Sequence, residues 1–173
     1  RVAQVVSPKT DDARRALDQL NLQGITVEPL NIETVKEAEL VVDAVLGTGL
    51  SRPPSDVFET AIQAINASGR PVLALDTPSG LDMDTGWAGG AAVQATVTVT
   101  FICLKGGLLT GRGPDLTGDI VVECLEVPAT VLTDVEPMAC CISARIVQER
   151  LPARRRTLHK GEAGHLVIIG GDS

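Results

Sequence analysis

The sequence predicts an α/β fold carried on a parallel sheet, and three observations support that expectation. Residues 40–46 and 71–75 are largely apolar runs, the pattern of strands covered by helices on both faces, and residues 2–6 also read as a strand. Stretches with apolar residues at helical spacing alternate with them, which argues right-handed strand–helix–strand crossovers. Two of the runs reach an aspartate and then break into a glycine turn: Val41-Val42-Asp43-Ala44-Val45-Leu46-Gly47-Thr48-Gly49-Leu50 and Val72-Leu73-Ala74-Leu75-Asp76-Thr77-Pro78-Ser79-Gly80-Leu81. Ligands of open α/β sheets bind outside the carboxyl ends of the strands, so both turns are expected to face one shared site.

The elements follow in order. Residues 2–6 read as a strand, and Thr10 is placed to cap a helix over about 11–20, with Ala13, Ala16, Leu17 and Leu20 on one face. A short strand near 25–27 and a polar stretch lead to the strand at 40–46. Ser55 is the expected cap of a helix running to about residue 67, with Val57, Phe58, Ala61, Ile62 and Ile65 inward. Residues 66–69 close it and Pro71 opens the next strand. After a polar loop at 82–90, residues 96–104 and 120–125 read as strands rich in β-branched residues. Between them, 105–113 is too glycine-rich for a helix. Residues 128–142 carry two prolines and no period, which suggests a linker, and 143–151 suit one short amphipathic helix. Arg154-Arg155-Arg156 with Lys160 reads as a solvated connector.

Composition narrows the function. A chain of 173 residues holds one domain with a real core and at most a piece of a second. Aromatic residues are 2% of the chain and tyrosine is absent, which leaves no platform for stacking nucleic-acid bases. A formal charge of −7 opposes binding to a phosphate backbone, so no nucleic-acid partner is expected. No apolar run reaches membrane-spanning length, so no membrane partner is expected and a cytoplasmic location fits. Cys103, Cys124, Cys140 and Cys141 form no Cys-x-x-Cys pair and read as buried structural thiols in a reducing compartment. The opening strand, and a closing strand at 165–169 that runs into a glycine turn, read as cut ends of a longer protein.

Asp43 and Asp76 are the strongest single signals. A carboxylate in a hydrophobic run is costly unless it is paired, hydrogen-bonded or bound to a cation. Each could simply cap the loop that follows it, but two at equivalent strand ends, with Ser79 nearby, favour a functional site. Oxygen donors of this kind suit a hard cation rather than zinc or copper. Gly47-Thr48-Gly49-Leu50-Ser51-Arg52-Pro53 offers backbone N–H groups and one counter-charge to an anion. It lacks the Gly-Lys-Ser/Thr ending of a P-loop. Thr77-Pro78-Ser79-Gly80 is no Gly-x-Ser-x-Gly elbow, and His159 and His165 lie far along the chain, so a Ser-His-Asp hydrolase is not expected.

Asp-Ala-Val-Leu-Gly-Thr-Gly-Leu from Asp43, Leu-Asp-Thr-Pro-Ser-Gly-Leu from Leu75, and Thr100-Phe101-x-x-x-Lys105-x-Gly-Leu with Gly111 together resemble the YjeF N-terminal domain, an NAD(P)H-hydrate epimerase. The tail from Leu151 to Asp172 resembles the opening of a ribokinase-like domain, an ADP- or ATP-dependent NAD(P)H-hydrate dehydratase. In this order they resemble the bifunctional nicotinamide-nucleotide repair enzymes. The resemblance implies a Rossmann-like three-layer sandwich with a mostly parallel sheet, incomplete at its start, over residues 1–135. A linker at 136–160 and the first strand of a ribokinase-like domain at 161–173 would follow.

For the site, the resemblance implies potassium held by Asp43 and Ser79. It implies NADH or NADPH hydrate contacted by Gly47, Thr48, Gly49, Leu50, Ser51, Arg52, Pro53 and Asp76. Asp76 is the expected general acid/base for inversion at C6 of the nicotinamide ring. ADP or ATP would serve the dehydratase, and a homo-oligomer is expected. The family's Asn-Asn-Gly-Gly-Asp loop, which contacts phosphate and potassium, does not occur in these residues. Thr77 stands where isoleucine is more usual. Lys105 would either approach a substrate phosphate or extend its stem along a strand end. The competing class is a non-catalytic binding or scaffold module, or an inactive fragment.

Overall fold

The computed structural model describes residues 1–50 and 52–151 together with positions 157, 159 and 167. Two compact units are present, Arg1–Asp134 and Val135–Ser173. The first begins with β1 (Val2–Gln4), α1 (Asp11–Leu22), β2 (Val27–Pro29), α2 (Ile32–Glu37), β3 (Val41–Asp43), α3 (Asp56–Ala67) and β4 (Val72–Leu75). It continues with β5 (Val97–Phe101), a 3-10 turn (Gly106–Leu108), α4 (Gly113–Leu116), β6 (Asp119–Glu123) and α5 (Ala129–Thr133). The second unit contains α6 (Ala144–Arg150), capped by Ser143, whose hydroxyl accepts from Ile146 N.

Every strand pairing is parallel, as expected for an α/β fold. The strands form two sheets, β1-β2 and β3-β4-β5-β6. In the larger sheet Asp43 lies beside Ala74, Leu75 beside Val99 and Phe101 beside Glu123. The strands are shorter than the apolar runs that announce them, and side-chain capture accounts for one case. Beyond Asp43 the amides of Val45 and Leu46 bond to Asp43 Oδ1 and Ser79 Oγ, so the backbone is drawn off the sheet ladder. β5 stops at Phe101 because Ile102 takes a positive φ of 69° and Cys103 N turns back to Phe101 O at 2.8 Å.

Thr10 caps α1 as expected, accepting from Ala13 N. Ser55 stands at the cap position of α3 but makes no capping bond; its hydroxyl donates to Asp56 instead. α3 buries Ala61, Ile62, Ala64 and Ile65, while Val57, expected inward and on the same helical side as Ala61 and Ala64, is exposed in the first turn. Ile62 and Ile65 pack on Val72 and Val93, with Val41, Val45, Leu46 and Ala91 at the rim. A second cluster joins Leu81, Ala92, Leu108 and Leu116.

Several expectations are corrected. α2 forms in the stretch read as merely polar, because Asn31 caps it through Glu33 N and Val35 is its buried anchor. The glycine-rich segment 105–113 holds the 3-10 turn, with α4 starting at its last residue, and the region 128–142 read as a linker holds α5. All four cysteines are exposed rather than buried. Cys103 and Cys124 follow the ends of β5 and β6, and among the described residues β6 is the edge strand of its sheet. Leu40 and Val42 are also exposed, so β3 is not covered on both faces. The outer edge of β3 faces β1 across a cavity of about 950 Å³ lined by residues of both strands, Phe58, Ala61 and Ile65. The basic connector Arg154-Arg155-Arg156 with Lys160, and the expected domain opening at 161–173 with its strand at 165–169, lie outside the described residues apart from Val167.

Asn66 and Gly80 fix the long crossover between β4 and β5. Asn66 Nδ2 donates to Ala92 O at 2.8 Å and its Oδ1 accepts from Gln94 N at 2.9 Å. Gly80 has a φ of +96°, and a Cβ there would lie 2.2 Å from Ala91 O. The Asp76–Leu81 turn and the 91–95 segment are therefore pressed together at the backbone. Asn66→Ala is expected to destabilise the fold by about 1–3 kcal/mol by leaving two backbone groups unpaired. Gly80→Ala adds backbone strain and a clash to one position, and a loss above about 2 kcal/mol is expected. Urea unfolding of the two variants beside the parent checks both.

Candidate functional site

The site is built where β3 and β4 end. Register places Asp43 beside Ala74, so Asp43 and Asp76 emerge at the same edge of neighbouring parallel strands. Asp43 is 0% exposed, as is Ser79. Ser79 Oγ donates to Asp43 Oδ1 at 2.6 Å, and Ser79 N donates to Oδ2 at 2.8 Å. Val45 N reaches Oδ1 at 3.2 Å, while Leu46 N donates to Ser79 Oγ and Leu46 O lies 3.2 Å from it. Burial pushes the Asp43 carboxyl up, against the opposing pull of the Ser79 hydroxyl, the Ser79 amide and the Val45 amide. Among the described residues no Lys, Arg or His bonds to it, so its charge has only neutral donors.

Asp76 is held differently. Its φ is 68°, and Thr77 N bonds back to Leu75 O at 2.9 Å, the tight three-residue turn that strains a non-glycine residue. Its own amide remains on the ladder, donating to Val99 O at 2.7 Å. The carboxylate Oδ1 accepts from Lys105 Nζ, from Phe101 N at 3.1 Å and, at 3.4 Å, from the Thr100 hydroxyl. Partial burial raises its pKa. The Lys105 bond, the Phe101 amide, the Lys105 charge and the Thr100 hydroxyl outweigh that and hold it below the ordinary carboxylate value. The Lys105 ammonium lies at the end of β5, donating to Asp76, to the Thr100 hydroxyl and to the Phe101 carbonyl.

The structure brings Asp43 and Ser79 into direct contact, and ties the start of the 47–53 loop to Ser79 through Leu46. Gly47, Thr48, Gly49, Arg52 and Pro53 are exposed and Leu50 is half-buried; Ser51 lies outside the described residues. None of the loop's described residues bonds to Asp76. A Cβ at Gly47 or Gly49 would meet open space, so packing does not demand glycine at either position. The cavity between β1 and β3 is lined by neither Asp76 nor Ser79. Thr77 Oγ1 is buried with no hydrogen-bond partner, a feature that sequence could not reveal. Asp82, in the loop beyond, is a turn residue: its Oδ1 accepts from Thr85 Oγ1, Thr85 N and Asp84 N, which hold its pKa below the ordinary value.

Asp43, Ser79 and the Leu46 carbonyl make an all-oxygen donor set. Among the described residues no group of three or more His, Cys, Asp or Glu side chains could hold a metal ion. Nor is any described helix long and apolar enough to cross a membrane.

Comparison with known proteins agrees with this architecture. Residues 2–107 match the family profile described as YjeF-related protein N-terminus. A Coxiella burnetii protein named bifunctional NAD(P)H-hydrate repair enzyme Nnr is 37% identical over 160 residues, covering 92% of this chain and 33% of the relative. The protein of the same name from Escherichia coli is 39% identical over 165 residues, covering 95% and 32% respectively. A Leishmania braziliensis bifunctional NAD(P)H-hydrate repair enzyme is 43% identical over 141 residues, covering 79% and 25%. The chain therefore spans a third or less of the length of these relatives. The crystal structure of yeast ynu0 shares the fold with a TM-score of 0.55 at 20% identity, covering 67% of this chain and 49% of that one. Matched by this profile over residues 2–107, more than half of its length, the chain belongs to the family of YjeF-related protein N-termini.

Proposed function

We propose that this chain is the epimerase part of a nicotinamide-nucleotide repair enzyme, and that it interconverts the R and S hydrates of NADH or NADPH at C6. The observation that carries this reading is Asp76: a strained, cation-paired carboxylate at the crevice end of a parallel strand, one strand from a buried carboxylate–serine pair. C6 of the hydrate bears both a hydroxyl and the ring nitrogen. Removal of the hydroxyl proton by Asp76 lets C6=O form as the C6–N1 bond breaks, the electron pair passing to N1, which takes up a proton. Rotation and re-addition of N1 to the other carbonyl face, with the proton returned to oxygen, invert the centre. An ionised carboxylate is suited to the first of these proton transfers.

The Asp43–Ser79 pair fits potassium by its chemistry, since all its donors are oxygen and the buried carboxylate has no cationic partner among the described residues. Potassium, when bound, supplies positive charge beside that carboxylate. The 47–53 loop, including Gly47, Thr48, Gly49, Leu50, Ser51, Arg52 and Pro53, is assigned to the substrate, with Arg52 as counter-charge to phosphate. The cavity between β1 and β3 suits the strand that leads into the family's Asn-Asn-Gly-Gly-Asp loop. The division after Asp134 supports an epimerase domain over 1–135, followed by a linker at 136–160 and the opening of an ADP- or ATP-dependent dehydratase at 161–173. A soluble, cytoplasmic homo-oligomer completes the proposal.

The tests use the full-length parent protein. Asp76→Asn is expected to lower the rate of R/S equilibration by about 100-fold or more, the usual scale of a lost acid/base group. Dehydration of purified S hydrate serves as the internal control and is expected to be unchanged. Full epimerase rate in Asp76→Asn removes the assignment. Asp43→Ala is expected to abolish any dependence of epimerase rate on potassium over sodium. It should also cost about 1–3 kcal/mol of stability by stranding the amides of Ser79 and Val45. Gly49→Ala separates ligand contact from folding: an unchanged melting temperature with a raised KM supports the loop assignment, and an unchanged KM removes it.

A further inference from the structure

We propose that Lys105 is a positioning residue of this site: it fixes the Asp76 carboxylate by Oδ1 to the end of β5 and leaves Oδ2 as the oxygen that meets the substrate. The proposal rests on the reading of Asp76 as the proton-transfer group.

The ammonium's valence is what decides its role. A lysine Nζ has three donors and no acceptor. In this site all three are engaged, by Asp76 Oδ1, by Thr100 Oγ1 at 2.8 Å and by Phe101 O at 2.7 Å. The side chain is 16% exposed, close to the 18% of Asp76, so the pair is largely withdrawn from solvent. A lysine that anchored a substrate phosphate would need free donors and a mobile head. This one would have to break three bonds and leave Asp76 beside two polar partners without a counter-charge. A compact ammonium also suits a nest of three oxygens better than the planar guanidinium fork does.

The bonds are lopsided on the carboxylate as well. Lys105, Phe101 N and Thr100 all act on Oδ1, and no bond of this set falls on Oδ2. Both strand ends here are strained: Asp76 at φ 68° closes β4 and Ile102 at φ 69° closes β5, each with a return bond across a single residue. Lys105 spans the two turns, bonding Asp76 in one and the Phe101 carbonyl just before the other. It holds two neighbouring strained turns in one arrangement.

The charges around Asp76 are few. Lys105 is the charged side chain bonded to it; Asp43 on β3 is engaged by Ser79 and Val45, and Glu123 on β6 accepts from Leu125 N. Removing Lys105 should therefore move the Asp76 titration upward, by about one pH unit or more, the scale of a lost neighbouring opposite charge. The sign follows from the carboxylate's chemistry. It is charged above its midpoint, so a higher midpoint forfeits activity at a higher pH.

The experiment compares Lys105→Gln, which keeps hydrogen bonding and loses charge, with Lys105→Met, which keeps length and loses both, in the full-length protein. For both we expect a kcat loss of about tenfold or more, KM within about twofold of the parent, and an acid limb of the epimerase profile moved up by about one unit or more. A raised KM with kcat intact would show a phosphate anchor and overturn the proposal. So would a lowered melting temperature with the pH profile unmoved. Carbon-13 titration of the Asp76 carboxyl in the parent and in Lys105→Gln reads the coupling without activity: an upward shift supports it and identical curves overturn it. Full activity in Asp76→Asn would sink the underlying catalytic reading while that titration still decided the Lys105–Asp76 coupling.

Discussion

The Asp43 carboxylate, sealed under the end of β3, is the constraint on which the site depends. It collects the hydroxyl and amide of Ser79 from the β4 turn and the amide of Val45 from its own loop. Through Ser79 Oγ the bond reaches Leu46, so one anion fixes the departure of two chain segments from the sheet. Without those donors the carboxylate would be an uncompensated charge in the interior. Without the carboxylate, the Ser79 and Val45 amides would lose the acceptor that holds them. The turn that presents Asp76 is consequently set from behind, by Asp43, and from the far side by the close approach of Gly80 to Ala91.

This support makes the strain at Asp76 tolerable. A non-glycine residue at positive φ costs on the order of 1–3 kcal/mol and survives where its surroundings over-determine it. Here the surroundings are a ladder bond to Val99, the return bond of Thr77, and the carboxylate's own attachments to β5. The burial of Thr77 Oγ1 without a partner adds a further cost in the same turn. A turn with no task beyond connecting β4 to the next segment would have little reason to carry both.

Much of this was legible beforehand, for a physical reason. The strands of a parallel sheet are apolar runs, and a charged residue closing such a run stands out against them, which is how Asp43 and Asp76 were found. Their direct partners were harder to read. That Ser79 would contact Asp43 across 36 residues follows from strand register, which no local pattern encodes. Lys105 was visible but ambiguous, because a lysine at a strand end looks the same whether it snorkels or pairs. Several of the failures share one cause. The exposed cysteines and the exposed Leu40 and Val42 were misread because apolar composition was taken for burial, and at a sheet edge the two part company. α2 was missed because six residues around one buried valine are too few to display a period.

The two aspartates end in opposite electrostatic states, and that contrast is the site's organising logic. Asp43 has its carboxyl pushed up by burial with only neutral donors to oppose it; Asp76 has its carboxyl held down by a lysine and an amide. Pairs of like groups driven apart by environment commonly mark divided roles. A carboxylate beside an internal cation is favoured in its charged form, the form that can take a proton, at the cost of weaker basicity. A carboxylate buried without one becomes a better-balanced anion only when positive charge arrives from outside. On the proposed reading, the base follows the end of β4 and the ion anchor closes β3, one strand apart. The first suits chemistry and the second suits an ion, and exchanging their neighbours would exchange their uses.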